Sequence, residues 1–436
     1  MGAVSKYFEF EKLGTNWKRE VLAGLTTFLT MAYIIIVNPA ILEAAGIPKG
    51  PSMVATIICA FVGTILMGVY AKRPFGLAPY MGENAFVAFT VCGILGIPWQ
   101  TALGAIFIAG VAFTILTITK LRAILADAIP ESLKFSFAVG IGLFLAFIGL
   151  NEMGFVTVGT PGAPVKVGDI TQWKVLLSVL GFIFIAVLML FRVRGSILIG
   201  ILLTAFIAYL TKVEAAPSGI VSLPPDPSPI LFKLDVLGAL TWKVIPVVLI
   251  VFLLDFVDTI GTLIGVSARA GFLDEHGNMP QFQKPLLADA LSTVVAALAG
   301  TTTAGTFIES AAGIEEGGRS GLTAVVTAFL FLFALFFAPI LTTIPAIAYG
   351  PALIIVGILM MGAITKINFS DMSEVIPAFA TIALMSFTYN IGVGIMAGFV
   401  LYPLLKLVKG DFHELTWPRL VLGAFSLVFF IFYPYH

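Results

Sequence analysis

The chain has 436 residues, 59% of them hydrophobic and only 11% charged, with a formal net charge of zero. Soluble domains carry about 25% charged residues. The balance excludes a soluble protein and marks an all-α polytopic membrane protein whose solvent is the lipid bilayer; no nucleic-acid partner is expected.

The first twenty residues are charged (Lys6, Glu9, Glu11, Lys12, Lys18, Arg19, Glu20) and hold no short apolar core, so no cleavable leader is expected. Residues 1–20 read as a cytoplasmic N-terminus. Apolar runs near twenty residues mark transmembrane helices. Seven fall in residues 21–212: 21–45, 52–70, 79–92, 99–119, 132–151, 172–191 and 195–211. Residues 213–241 carry Pro217, Pro224, Pro225, Pro227 and Pro229 and form an extracellular linker, because such a density of proline does not allow a helix. Seven more runs fall in residues 242–409: 243–267, 284–300, 304–316, 320–340, 344–364, 371–389 and 391–408. The last stretch, 410–436, is a tail or an interfacial helix, with aromatic flanks at Trp417, Phe432 and Tyr433.

The third run of each half is short and rich in glycine. Pro74, Gly76, Pro79 and Gly82 precede Asn84; Gly300, Gly305 and Gly313 surround Glu309. Each reads as an extended piece followed by a half-helix. An odd number of spans per half inverts the second half relative to the first. Inverted repeats with broken helices in matching places point to a transporter whose substrate sits at the breaks. With the N-terminus inside, eighteen of the 24 Lys and Arg fall on the cytoplasmic side, Lys72, Arg73, Lys120, Arg122, Arg269, Lys406 and Lys409 among them. Six fall outside, which follows the positive-inside rule.

Asp255 and Asp258 interrupt the apolar run Ile245–Val266. One carboxylate at the centre of a bilayer helix costs about 2.5–3.5 kcal/mol. Three residues apart, the two share a helix face. No Lys or Arg lies within the segments that carry Asn84, Asp255, Asp258 and Glu309. A buried carboxylate without a counter-charge tends to hold its proton, so Asp258 and Asp255 are the candidates for proton coupling, with sodium as the second choice of driver. Carboxylates accept from N–H groups and an amide both donates and accepts. Asn84, Asp255, Asp258 and Glu309 together therefore suit a small flat solute with N–H and C=O groups, and Phe307 is the aromatic residue singled out beside Glu309. Structural alternatives stand beside these roles: Asn84 and Glu309 as helix caps, and the aspartates as partners of broken backbone. Glu83 is expected to cap or to face away from the site.

Cys59 and Cys92 lie in apolar segments and read as packing residues, so no metal site or cofactor is expected. His276, His413 and His436 lie in polar stretches or at the end, which leaves no histidine relay inside the membrane. The enzyme motifs Gly-x-Gly-Asp and His-Glu-x-x-His are missing, and no enzymatic activity is expected.

Four stretches carry a resemblance: EVLAGLTTFLTMAYIIIVNPA (20–40), GLAPYMGENAFVAF (76–89), LLDFVDTIGTLIG (253–265) and TTTAGTFIESAAGIEEGGRSG (301–321). Together they resemble the AzgA-like purine permeases of the nucleobase–cation symporter superfamily, which also holds xanthine and uracil permeases. The resemblance implies fourteen spans in two inverted repeats. Spans 1–4 and 8–11 would form a core domain, spans 5–7 and 12–14 a gate domain, and short strands in spans 3 and 10 would cross near the midplane. It implies symport of adenine, guanine and hypoxanthine with protons at the plasma membrane, with purine contacts at Asn84, Asp255 and Glu309 and a transport role for Asp258. The expected protein partner is a second copy, joined through the gate domains. Two features bear on the substrate. Glu83 stands where the pattern has an apolar residue, and span 1 lacks the histidine of the uracil branch. The competing reading is an anion transporter of the sulfate-permease type, which would have an electropositive site.

Overall fold

The computed structural model describes residues 2–119, 128–160, 163–274 and 279–432. Lys120, Arg122, His276, Tyr433 and His436, named above, lie outside them. Nine helical segments among the described residues are long and apolar enough to cross a membrane. They are Trp17–Glu43, Lys49–Tyr70, Trp99–Thr119, Glu131–Glu152, Trp173–Leu190, Ile245–Ala270, Gly321–Leu341, Ala346–Lys366 and Ile391–Lys409. Met81–Ile94, Ser196–Leu210, Met372–Phe387 and Trp417–Ile431 are apolar but shorter.

The first apolar run is two helices, α1 (Trp17–Met31) and α2 (Ile34–Glu43), with a tight turn at Ala32–Tyr33 that the sequence pattern did not reveal. Next come α3 (Lys49–Ile65), strand β1 (Leu77–Pro79) and the short helix α4 (Met81–Ala85), which widens into a π-helical stretch over Phe86–Ile94. Then follow α5 (Trp99–Thr119) and α6 (Glu131–Glu152). A hairpin of β2 (Val156–Thr160) and β3 (Ala163–Val167) was not expected; its side chains are mostly exposed. The first half closes with α7 (Trp173–Leu190) and α8 (Ser196–Leu210).

The second half runs α9 (Ile245–Ala270), α10 (Gln283–Ala299), strand β4 (Ala304–Thr306) and the short α11 (Ser310–Glu315). It continues with α12 (Gly321–Ala334), α13 (Ala346–Met361), α14 (Met372–Phe387) and α15 (Ile391–Lys409). The terminal helix α16 (Trp417–Phe432) packs back along α15. Gly423 lies against Phe399 and Pro403, and the Ser426 hydroxyl meets Met396 Sδ at 3.1 Å. These contacts lay the helix along α15.

The two extended pieces anticipated at the breaks pair with each other. β1 and β4 run antiparallel with Leu77 opposite Thr306, Ala78 opposite Gly305 and Pro79 opposite Ala304. All six residues are buried. Backbone polar groups at membrane depth need partners inside the protein, and each strand finds a second one in a threonine. The Thr64 hydroxyl of α3 accepts from Leu77 N–H at 2.9 Å and lies 3.1 Å from Leu77 O. The Thr293 hydroxyl of α10 accepts from Ala304 N–H at 3.2 Å and lies 3.1 Å from Ala304 O. Gly305 is required sterically: a Cβ there would lie 2.5 Å from Asp289 Oδ1 and closer still to the Tyr80 hydroxyl.

Glycines also let α6 and α13 touch backbone to backbone. A Cβ on Gly142 would lie 2.7 Å from Gly357 O, and one on Gly149 would lie 2.6 Å from Gly350 O. Such small-residue faces allow close packing where no hydrophobic drive exists between helices in lipid.

Asp289 of α10 holds β4 from behind. Its carboxylate accepts from Thr306 N–H at 2.8 Å, Thr306 O–H at 2.8 Å and Thr259 O–H at 2.7 Å. Asp289→Ala strands these buried donors, and each unsatisfied group costs about 1–3 kcal/mol. The purified variant should melt well below the wild type, and Asp289→Asn, which keeps one acceptor oxygen, should fall between them. Equal melting of all three would show that the strand does not depend on this side chain.

Candidate substrate site

The paired strands bring the residues singled out in the sequence into one neighbourhood. Asn84 occupies the fourth position of α4 and is fully buried. Tyr80, not Asn84, is the cap of that helix. The Asn84 carboxamide oxygen accepts from the Thr302 hydroxyl, while its N–H₂ group has no partner. Asp255 is fully buried on α9; Oδ2 accepts from the Thr293 hydroxyl at 2.9 Å and Oδ1 has no donor. Asp258, one turn on, is half-buried.

Glu309 precedes α11 but its side chain makes no cap. It points instead to the break between α1 and α2, where the Tyr33 hydroxyl donates to Oε1 at 2.5 Å. Phe307 is 5% exposed and its ring is nearly parallel to that of Tyr80, at 6° and 6.2 Å between centroids. The Tyr80 hydroxyl reaches Thr262 at 3.2 Å and Thr259 at 3.5 Å, which ties this aromatic pair to α9.

Glu83 corrects the sequence reading. Expected to cap or to face away, it is fully buried, and its carboxyl lies within hydrogen-bonding reach of Asp258. Asp289 was not singled out at all, yet the rule that flagged Asp255 applies to it, because it too is a lone acid in an apolar helix. Tyr33 carried no signal beyond its place in an apolar run. Among the described residues, the ion pairs of Lys and Arg go to other acids, and none involves Glu83, Asp255, Asp258, Asp289 or Glu309.

A separate cavity of about 520 Å³ is lined by Phe86, Trp242, Lys243, Ile250, Asn390 and Phe429 among others. It is apolar and holds none of the five acids, so the polar chemistry belongs to the strand crossing. There the protein offers hydrogen-bond acceptors on two helices and a loop, one unpartnered amide N–H₂ and a stacked aromatic pair. This set can take up a small planar molecule with N–H groups along its edge, and it offers no cation to an anion.

Comparison with known proteins gives the family. A sequence model of the Permease family, Xan_ur_permease, matches residues 18–401. A putative permease of Methanocaldococcus jannaschii is 46% identical, over 99% of each chain. The adenine permease AdeQ of Escherichia coli is 40% identical over 97% of this chain and 95% of its own. The guanine/hypoxanthine permease PbuO of Bacillus subtilis is 41% identical over 97% and 99%. Among solved structures, the transmembrane domain of a cyanobacterium bicarbonate transporter BicA superposes with a TM-score of 0.64 at 16% identity, covering 87% of this chain and 96% of that one. A murine Solute Carrier 26 family anion transporter in the inward-facing state gives 0.63 at 9% identity, covering 91% and 68%. At these identities the two structures share the fold alone. By sequence over nearly its whole length, the chain belongs to the Permease family of xanthine/uracil type, multi-pass membrane transporters rather than enzymes.

Proposed function

We propose that the protein is a secondary active transporter that imports the purine nucleobases adenine, guanine and hypoxanthine across the plasma membrane by proton symport. The observation that carries this reading is the polarity of the site: open acceptors and one open amide around a parallel aromatic pair, with no cation in the set. A purine is flat and presents N–H donors and ring or carbonyl acceptors along its edge. Asp255 and Glu309 accept from its N–H groups, Asn84 donates and accepts, and Phe307 stacks on its face. Relatives described as adenine and guanine/hypoxanthine permeases support the same substrate class.

An anion transporter of sulfate-permease type has the fold likeness in its favour, but an anion here would meet a cluster of acids and no cation. A buried carboxylate without a counter-charge tends to hold its proton, which favours the proton over sodium as driver, with Asp258 as its carrier and Asp255 beside it.

For topology, the reading is two inverted seven-span repeats with a cytoplasmic N-terminus, a core of spans 1–4 and 8–11 and a gate of spans 5–7 and 12–14. Three pairings of corresponding segments support it. β1 meets β4 antiparallel, Thr64 and Thr293 hold those strands in the same way, and α6 meets α13 through Gly142–Gly357 and Gly149–Gly350. α16, upright against α15, crosses as an added helix. A second copy joined through the gate covers apolar residues such as Leu180, Ile183 and Phe206, each about half exposed in the single chain.

Transport-deficient cells expressing the chain should take up labelled adenine or hypoxanthine. A proton uncoupler should abolish the uptake, purines should compete for it, and uracil and sulfate should not. Competition by uracil without competition by purines would overturn the substrate class. On purified protein, Glu309→Gln should weaken purine binding by roughly 1.5–3 kcal/mol, the worth of a hydrogen bond to a charged acceptor. Phe307→Ala should cost about 1–3 kcal/mol through lost stacking. In a background with Cys92→Ala, an impermeant thiol reagent should reach Gly219→Cys from outside intact cells and should leave Ala268→Cys unlabelled. Labelling of Ala268→Cys from outside would exclude the inverted-repeat topology.

A further inference from the structure

Glu83 is an acid with no visible reason to be ionised. It is the third residue of α4, is wholly shielded from solvent, and neither carboxyl oxygen meets an N–H or hydroxyl donor among the described residues. Buried polar groups in native proteins are nearly always hydrogen-bonded, and each exception calls for an explanation. Helix α4 packs against α9, and the group on α9 that pairs with Glu83 is the Asp258 carboxyl. Ionised carboxylates only accept hydrogen bonds, so a bond between two carboxyls exists only when one of them carries a proton.

The surrounding titratable groups supply no compensating charge. Asp255, one turn earlier on α9, already takes the Thr293 hydroxyl. Asp289 on α10 takes three donors from Thr306 and Thr259. The Tyr80 hydroxyl, from the residue that caps α4, is engaged by Thr262 and Thr259. Glu309, before α11, is bonded by Tyr33 at the α1–α2 break. On the remaining side Gly82 packs against Ile141 of α6. Among the described residues, the ionisable groups around the pair are acids, phenols and the Cys59 thiol beside Asp255 and Asp289, with no cation, and like charges in one site disfavour simultaneous ionisation.

We propose that Glu83 and Asp258 share a single proton and together form the proton-binding site that couples transport. The inference rests on the purine-symport reading and adds to it a residue, Glu83, that the resemblance does not supply. The chain order explains the linkage: Glu83 is adjacent to Asn84, so the proton site and a substrate contact ride on the same half-helix. While the site is closed, one proton bridges the two carboxyls. From Asp258 an exposed face of α9, through Gly261, Ile264 and Ala268, leads to the Arg269 end of the helix. When water enters along it, the O–H bond of the pair breaks, the proton leaves as hydronium, and two hydrated carboxylates remain. A proton taken from water on the opposite side restores the bridge. Purine binding that closes the site therefore takes up a proton, and purine affinity falls as pH rises.

The test uses the full chain in lipid nanodiscs as wild type, Glu83→Gln, Glu83→Leu, Asp258→Asn and Glu309→Gln. Infrared spectra of the unliganded protein, recorded at a pH low enough to protonate the pair without ligand, should show a protonated-carboxyl carbonyl band with a component lost in both Glu83 variants and in Asp258→Asn, and kept in Glu309→Gln. Adenine calorimetry at a higher pH, where the unliganded pair has released its proton, in buffers of different ionisation enthalpy counts protons. Wild type should take up about one per adenine, whereas Glu83→Gln and Asp258→Asn should bind within about tenfold of wild-type affinity and take up none. The Leu variant repeats the measurement if the Gln variant does not fold. A Glu83 variant that keeps both the infrared component and the proton uptake overturns the pair, as does wild-type binding without proton uptake. If wild type binds no purine while the infrared component still vanishes in the Glu83 and Asp258 variants, the substrate reading fails and the shared proton stands.

Discussion

The structure depends on six residues of extended backbone where two broken segments meet. The β1–β4 pair is the least protected kind of secondary structure for a membrane protein: short, irregular at its ends and unable to satisfy its own polar groups. Its stability is borrowed from the helices around it. Thr64 and Thr293 bind one residue in each strand, and Asp289 binds Thr306 through both backbone and side chain. Because every one of these partners sits on a neighbouring helix, the strands cannot shift unless α3 and α10 shift with them. This rigidity is what a binding site at a break requires, since the half-helices α4 and α11 are too short to hold their own orientation.

The same crossing concentrates acids. Glu83, Asp255, Asp258, Asp289 and Glu309 converge where no Lys or Arg pairs with them among the described residues. Each solves its burial differently. Asp289 is satisfied three times over and is structural. Asp255 and Glu309 are each bonded once, by Thr293 and by Tyr33, and keep capacity to accept from another molecule. Glu83 and Asp258 face each other. A site assembled from acids with unequal hydrogen bonding assigns its own division of labour, because the acid with the fewest donors is the one whose charge depends most on water and protons.

Away from the crossing, the helices are arranged by glycine. α6 and α13 approach through Gly142, Gly149, Gly350 and Gly357 until backbone meets backbone, while α15 and α16 nest through Gly423. In lipid, apolar side chains gain little by leaving one apolar surface for another, so closeness of approach and dispersion decide which helices pair.

Much of this was legible beforehand. Apolar run length located the helices, the glycine and proline clusters located both breaks, and the cost of a lone acid in lipid picked out Asp255, Asp258 and Glu309. These are local properties, set by a residue and its neighbours in the chain. The turn at Tyr33 and the pairing of β2 with β3 left no such local trace. The tertiary structure alone decided that Tyr33 reaches Glu309, that Asp289 serves β4, and that Glu83 turns inward to Asp258. Each of these is a contact between residues from 17 to nearly three hundred positions apart. The sequence determined which groups must be hidden from lipid; only packing decided which group each of them would meet, because a hydrogen bond depends on distance in space and not on separation along the chain.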